Sequence, residues 1–198
     1  MEECLQSGGV VLFPTDTVYG LGCDPNSDRA VRRLYELKGR PDHRPAAVMF
    51  FDLERAAEAL PELGACEQHA IKALLPGPVT LLLPNPRGRF PLACGTAEGG
   101  DDVLGLRVPV LAGSWAALHA VSGPIMQSSA NLSGELEVRR LADVPRGLLE
   151  GADLVLDGGE LPGIASTVLD LRDYRQTGNW RVVRAGALEI EAVERALR

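Results

Sequence analysis

Long apolar runs are missing from this 198-residue chain. No stretch approaches the roughly 18 consecutive apolar residues of a membrane helix. The opening "MEECLQSGGVVLFPTD" has neither the basic n-region nor the apolar core of a signal peptide. The expected compartment is therefore the cytoplasm. Cysteine is sparse too: Cys4, Cys23, Cys66 and Cys94 lie far apart, with no CxxC and no histidine at ligand spacing. That pattern suggests neither a zinc site nor a disulfide framework, but buried or idle thiols. Basic residues are outnumbered, 20 Lys and Arg against 27 Asp and Glu for a net charge of −7. A protein that coats nucleic acid nonspecifically needs the opposite balance, although a local basic pocket remains compatible with it.

Several catalytic signatures are also absent. "GLGCDP" has Pro25 where a dinucleotide fingerprint would carry its third glycine, and no GxxxxGK[ST] occurs. There is no GxSxG, and His43, His69 and His119 stand in no recognisable partnership with a serine. Any phosphate site must be built in another way.

What is present is enough apolar sequence, 45% of residues, for one substantial core. No repeat, low-complexity tract or linker divides the chain, so residues 1–198 are expected to form one domain. "VVLF" at 10–13 predicts a buried strand between Gly8–Gly9 and Pro14. A helix is predicted over about 28–38, capped by Ser27 or Asp28, with Val31, Leu34 and Leu37 at helical spacing and Gly39 and Pro41 as stop signals. "AAVMFF" at 46–51 reads as a second strand, followed by helical stretches near 53–60 and 67–75 and a strand in "PGPVTLLLP". Further strands are expected at 103–110 and 124–129, separated by a helical "GSWAALHAV". "ADLVLD", "STVLDL" and "WRVVRAG" read as strands and the tail "LEIEAVERALR" as a helix. Alternating strands and helices give an α/β fold, and the short gaps late in the chain suggest hairpins in a mixed sheet.

Three polar segments carry the candidate chemistry, and each has two readings. "PTDTVYGLG" at 14–22 follows a buried strand, where open α/β sheets often bind ligands. Its Thr15, Asp16 and Thr17 would also serve simply to satisfy local amides. "KGRPDHRP" concentrates Lys38, Arg40 and Arg44, a grip for phosphate or carboxylate. Equally, lysine in a last helical turn answers the macrodipole, and loop arginines are common. "SSANLSG" at 128–134 offers hydroxyls and amides for an anion nest, or an ordinary polar turn. Arg107 in "LGLRVP", with Ser166 in "ASTVLD" and Arg184 in "WRVVRAG", sits in an apolar background. A buried arginine needs a partner, either an internal carboxylate such as Asp170 or a ligand.

Taken together, "PTDTVYGLG", "KGRP" with Pro45 following, "GPVTLLL", "LGLRVP", "SSANLSG", "STVLD" and "VVRAGAL" resemble the YrdC family of threonylcarbamoyl-AMP synthases, in order and spacing, from about residue 8 to 190. The resemblance is to the short members, without the extra C-terminal domain. It implies a twisted mixed sheet around a large concave, positively charged cavity. It also implies a reaction in which L-threonine, bicarbonate or CO2, and ATP give threonylcarbamoyl-AMP and pyrophosphate. The product then serves, through separate transfer proteins, to modify the adenosine beside the anticodon of tRNA. No tightly bound cofactor or resident metal is implied, only ATP accompanied by Mg2+. By matching motifs, Lys38, Arg40, Ser129 and Asn131 resemble the catalytic set. Thr17, Arg107, Ser129 and Ser166 match threonine-binding positions, and Arg40, Arg44, Asn131 and Arg184 match ATP-binding ones. The chain departs from the family pattern at Ala46, Met49 and Val103 and in "SGELEVR". An alternative of another class is a non-catalytic RNA-binding or ribosome-maturation module using the same cavity. The 5% aromatic content speaks against it, since single-strand binders want stacking platforms. A third is the carbamoyl-adenylate domain of hydrogenase maturation proteins, which expects fused acylphosphatase and zinc-finger segments that this sequence lacks.

Overall fold

Local signals start and stop the longest helix. The Ser27 hydroxyl accepts from the Ala30 amide, and Gly39 ends the helix in the left-handed conformation at φ 56°, open to glycine at little cost. Between these caps Ala30, Val31, Leu34 and Tyr35 form one buried face. The computed structural model describes residues 1–39, 41, 44–94 and 103–198, with backbone alone at Ser114. Arg40, Asp42, His43 and residues 95–102 lie outside the described residues.

In chain order the elements are α1 (Glu2–Gln6), β1 (Val11–Pro14), β2 (Tyr19–Cys23), α2 (Asp28–Lys38), β3 (Ala47–Met49), α3 (Leu53–Glu58), α4 (Ala65–Leu74), β4 (Val79–Pro84) and α5 (Pro91–Cys94). Then follow β5 (Val103–Arg107), a 3₁₀ segment (Gly113–Ala120), β6 (Ile125–Ser129), a short 3₁₀ turn (Leu141–Asp143) and α6 (Arg146–Gly151). The last are β7 (Leu154–Val155), β8 (Thr167–Asp170), α7 (Tyr174–Thr177), β9 (Arg181–Arg184) and α8 (Ile190–Ala196). The strands form one mixed sheet in the order β7-β1-β2-β6-β3-β5-β4-β8-β9.

The expected α/β fold with a mixed sheet is what forms, with informative differences. Residues 19–23, read as loop, make β2, which pairs antiparallel with β1. Its two glycines hide a strand that only its neighbours define. The late hairpin exists between β8 and β9. However, β7 lies at the far edge of the sheet, parallel to β1. Residues 156–166 therefore cross the molecule instead of turning back.

Strand alternation divides the sheet into two unlike faces. One face, with Leu12, Leu21, Val48, Leu81, Leu83, Leu104, Leu106 and Met126, packs against apolar residues of α2, α3, α4, α6 and α8 in the main core. Among the described residues the opposite face is packed at one end. There Val11, Phe13, Met49 and Ile125 meet Leu5 of α1, and Leu118 and Val121 in and just after the 3₁₀ segment. Beyond this smaller cluster the same face carries Gln127, Ala47, Gly105 and Leu82 in register across β6, β3, β5 and β4. The two small residues in that row leave an open floor.

At the β8–β9 edge, Asp170 is buried and binds two guanidinium groups. Arg172 donates from Nε to Oδ1 at 3.0 Å and from an Nη to Oδ2 at 2.9 Å, and Arg181 donates to Oδ2 at 2.9 and 2.7 Å. The hydrogen bonds from Arg172, and then those of Arg181, hold the Asp170 carboxyl well below the usual carboxylate range against the opposing effect of burial. A carboxylate depressed in the fold contributes stability above its unfolded pKa of about 4 and loses it as pH falls through the folded value. Asp170→Asn should therefore lower stability by about 2 kcal/mol at neutral pH, with the difference from the native chain shrinking below about pH 4. Urea midpoints measured across that pH range check this.

Candidate active-site cavity

The open half of the sheet becomes a cavity of about 610 Å³. Its apolar wall comes from Pro45, Ala46, Ala47, Leu82, Val103 and Val168, and its polar wall includes Thr80, Arg107, Gln127, Ser128, Ser129, Glu137, Ser166, Arg172 and Arg184. Of the departures from the family pattern, Ala46 and Val103 line it. Met49 does not, being fully buried in the smaller core cluster.

Arg107 ends β5 and is the most constrained polar group of the wall. Alternation along the strand puts Val103, Gly105 and Arg107 on the cavity side. One Nη of Arg107 donates to Asp16 Oδ1 at 2.6 Å, to Thr17 Oγ1 at 2.5 Å and to Thr15 Oγ1 at 3.2 Å. Asp16 Oδ2 in turn accepts from the Val110 amide at 3.0 Å. The internal partner of this arginine is thus Asp16, while Asp170 serves Arg172 and Arg181. Burial pushes the Arg107 pKa down, Asp16 opposes that, and the nearby Arg184 adds to the lowering. The group remains a cation because arginine starts from above about 12. Its buried Nε has no hydrogen-bond partner among the described residues.

Within "PTDTVYGLG" the side chains divide between local and distant partners. Thr15 satisfies the local turn, its hydroxyl donating to the Val18 carbonyl at 2.7 Å. Asp16 and Thr17 instead reach about ninety positions along the chain to Arg107.

Ser129 and Lys38 meet across a different seam. Lys38 is 3% exposed at the end of α2, and its Nζ donates to the Ser129 carbonyl. The Lys38 carbonyl accepts from the Ser133 amide at 3.2 Å, so the helix end and the "SSANLSG" loop are stitched twice. Within that loop Asn131 donates to the carbonyls of Leu132 at 3.1 Å and Glu135 at 2.6 Å, and its buried Oδ1 lacks a partner among the described residues.

Ser166 and Arg184 close the other side. Ser166 Oγ lies 2.9 Å from Thr80 Oγ1, and an Nη of Arg184 donates to the Ser166 carbonyl at 2.8 Å and its hydroxyl at 3.3 Å. Glu137 approaches Arg184 at 3.9 Å. The turn after β9 must run very close here, because a Cβ on Gly186 would stand 2.3 Å from the Ala165 carbonyl oxygen.

Among the sequence-derived candidates, Arg107, Ser129, Ser166 and Arg184 line the cavity itself. Lys38 and Thr17 lie immediately behind lining residues, and Asn131 shapes the loop beside Ser129. Arg44 is exposed, its carbonyl accepting from the Tyr35 hydroxyl at 2.7 Å. Arg40 lies outside the described residues. Sequence reasoning passed over Thr80 and Gln127, although each is a polar residue inside an apolar strand, the same signal that singled out Arg107. Glu137 stands in a polar stretch with no such contrast. Of the thiols, Cys23 is buried and pushed up to about 12 by loss of hydration, Cys66 is exposed and Cys94 lines the cavity. Among the described residues no group of three or more His, Cys, Asp or Glu side chains is arranged to hold a metal ion. No helix among them is long and apolar enough to cross a membrane.

Comparison with known proteins places this arrangement. The threonylcarbamoyl-AMP synthase of Pyrococcus abyssi is 32% identical over 197 residues, 98% of this chain but 55% of its own length. The chain thus spans about half of that relative. The threonylcarbamoyl-AMP synthase of Hahella chejuensis is 34% identical over 161 residues, covering 81% of this chain and 85% of that protein. The crystal structure of P. abyssi Sua5 complexed with L-threonine superimposes with a TM-score of 0.82 at 31% identity, over 98% of this chain and 55% of that one. Residues 3–186 match the Sua5, YciO and YrdC family, described as telomere recombination. With that match, a shared fold and a cavity walled by the motifs in question, the chain belongs to the Sua5/YciO/YrdC family.

Proposed function

We propose that this protein is a threonylcarbamoyl-AMP synthase, a nucleotidyltransferase that condenses L-threonine, bicarbonate or CO2, and ATP to threonylcarbamoyl-AMP and pyrophosphate. The observation that carries the reading is the cavity wall. Arg107, Ser166 and Arg184, three residues from distant strands and loops, converge there beside Ser129, in a fold shared with a Sua5 that was crystallised with L-threonine. The residues 1–198 act in this reading as one YrdC-like domain.

The chemistry requires no enzyme nucleophile. The neutral amine of threonine attacks the carbon of CO2 and loses a proton, giving a carbamate. A carbamate oxygen then attacks the α-phosphorus of ATP as the bond to the bridging oxygen breaks and pyrophosphate leaves. Such a transfer depends on alignment and on charge stabilisation over the phosphate oxygens. Arg107, with Thr17, Ser129 and Ser166, supplies the threonine side. The guanidinium of Arg107 lies on the cavity wall, and a guanidinium is suited to a carboxylate, which supports that assignment. Arg184, Arg40, Arg44 and Asn131 serve the nucleotide, and Lys38, Arg40, Ser129 and Asn131 form the catalytic set. Mg2+ enters as part of the nucleotide substrate, since it is ordinarily held largely by phosphates and water. The product passes to tRNA-modifying transfer proteins in the cytoplasm, where ATP, threonine and tRNA are all available.

Incubating the purified protein with ATP, bicarbonate and labelled threonine should yield an adenylated threonine product and one pyrophosphate per product. Absence of both would sink the reading. Arg184→Ala should reduce kcat/KM for ATP about 10- to 100-fold, the loss of one charged hydrogen-bonding group worth roughly 1.5–3 kcal/mol. Steady-state kinetics with ATP varied checks this. Threonine should be preferred to serine by about tenfold or more, one missing methyl in a partly apolar pocket, read as the ratio of kcat/KM values in parallel assays.

A further inference from the structure

The tie between Asp16 and Arg107 has a geometry that a plain structural ion pair does not require. Both oxygens of Asp16 are used by the same stretch of chain. Oδ1 takes the Arg107 guanidinium at 2.6 Å and Oδ2 takes the Val110 amide at 3.0 Å. The side chains are 8% and 4% exposed, so neither can trade its partner for water. All three acceptors offered by the β1–β2 turn, on Thr15, Asp16 and Thr17, gather on a single Nη. An Nη carries two hydrogens, so that end of the fork is saturated. The Nε hydrogen is left buried without a partner among the described residues, in a side chain that forms part of the cavity wall. With that hydrogen unmet, the grip of the turn on the one Nη is what fixes the group.

We propose that Asp16 is a positioning residue for the reaction: by clamping one Nη it fixes the guanidinium plane of Arg107 and so holds that group in place on the cavity wall that receives the carboxylate of the amino-acid substrate. The proposal rests on the synthase reading for the identity of that substrate, but not for the clamp itself. Asp16 does not touch substrate in this arrangement. It acts by denying Arg107 the rotamers in which its fork would turn toward other acceptors, such as the Ser166 hydroxyl or the Glu137 carboxylate on the same wall. Carboxylate geometry matters as well as charge, because one oxygen must accept from the guanidinium while the other accepts from a backbone amide. An asparagine can satisfy only one of these with its single acceptor.

The test has two arms on the full chain. In the first, the Arg107 side chain is followed by nitrogen-15 NMR without ligand. The native protein should show slow rotation of the guanidinium and separate Nη signals, and Asp16→Asn should collapse them into averaged ones. Rotation that stays slow in Asp16→Asn overturns the clamp. In the second, steady-state kinetics compare the native chain, Asp16→Asn and Asp16→Glu. The expected result for Asp16→Asn is a rise of about tenfold or more in KM for threonine, with KM for ATP within twofold and kcat little changed, and partial recovery in Asp16→Glu. Equal losses for both substrates, or unaltered threonine KM beside a freely rotating guanidinium, would overturn the positioning role. If the native protein itself turns over no threonine, the synthase reading fails, and the NMR arm still decides whether Asp16 holds Arg107.

Discussion

A cation with almost no contact with water organises the active half of this molecule. Arg107 ends a central strand, and an arginine there is tolerated only if a carboxylate comes to it. Asp16 comes from the turn of the β1–β2 hairpin, about ninety residues earlier in sequence. The pairing thereby fixes where the hairpin turn sits relative to the middle of the sheet. Because the hairpin also pairs with β6, the position of Ser129 follows from the same constraint. The Gly20↔Ser129 register sets that loop one strand away from the arginine's partners. Lys38 then meets the carbonyl of Ser129, which draws the end of α2 to the same edge.

The cavity exists because the two faces of the sheet are unequally covered. Helices pack across one face, whereas among the described residues α1 and the 3₁₀ segment cover one end of the other. Ala47 and Gly105 keep the floor of the uncovered part low. Large side chains there would complete a second core layer, and the protein would gain packing at the expense of its site. The polar residues around that floor come from five strands or strand ends and from the loop that carries Glu137, so no local segment can build it.

This explains what was legible in sequence. Helix α2 was readable from Ser27 to Gly39 because its caps, its apolar stripe and its stop are all local. The β8–β9 hairpin was readable from a short gap between two apolar runs. Strand β2 was not, because Gly20 and Gly22 remove the side chains by which a strand is recognised, and only pairing with β1 and β6 defines it. The placement of β7 beside β1 is likewise a tertiary fact. In the site, arginines and serines in apolar strands announced themselves by contrast. The partnership of Arg107 did not, because Asp16 is one of several carboxylates at comparable remove and Asp170 was as good a candidate on sequence alone. Ordered motifs identified the family where single residues could not.

The outermost strand has a second duty beyond its place in the cavity. β9 is exposed along its whole length, with Val182 and Val183 both exposed between Arg181 and Arg184, and no further strand among the described residues pairs with it. Unpaired strand edges invite addition of foreign strands, and flanking charges discourage it. Here the two gatekeepers are also working residues: Arg181 neutralises Asp170, and Arg184 holds Ser166 at the cavity. The order of the cavity wall and protection against strand addition therefore rest on the same two side chains, so neither arginine is free to drift to satisfy one demand alone.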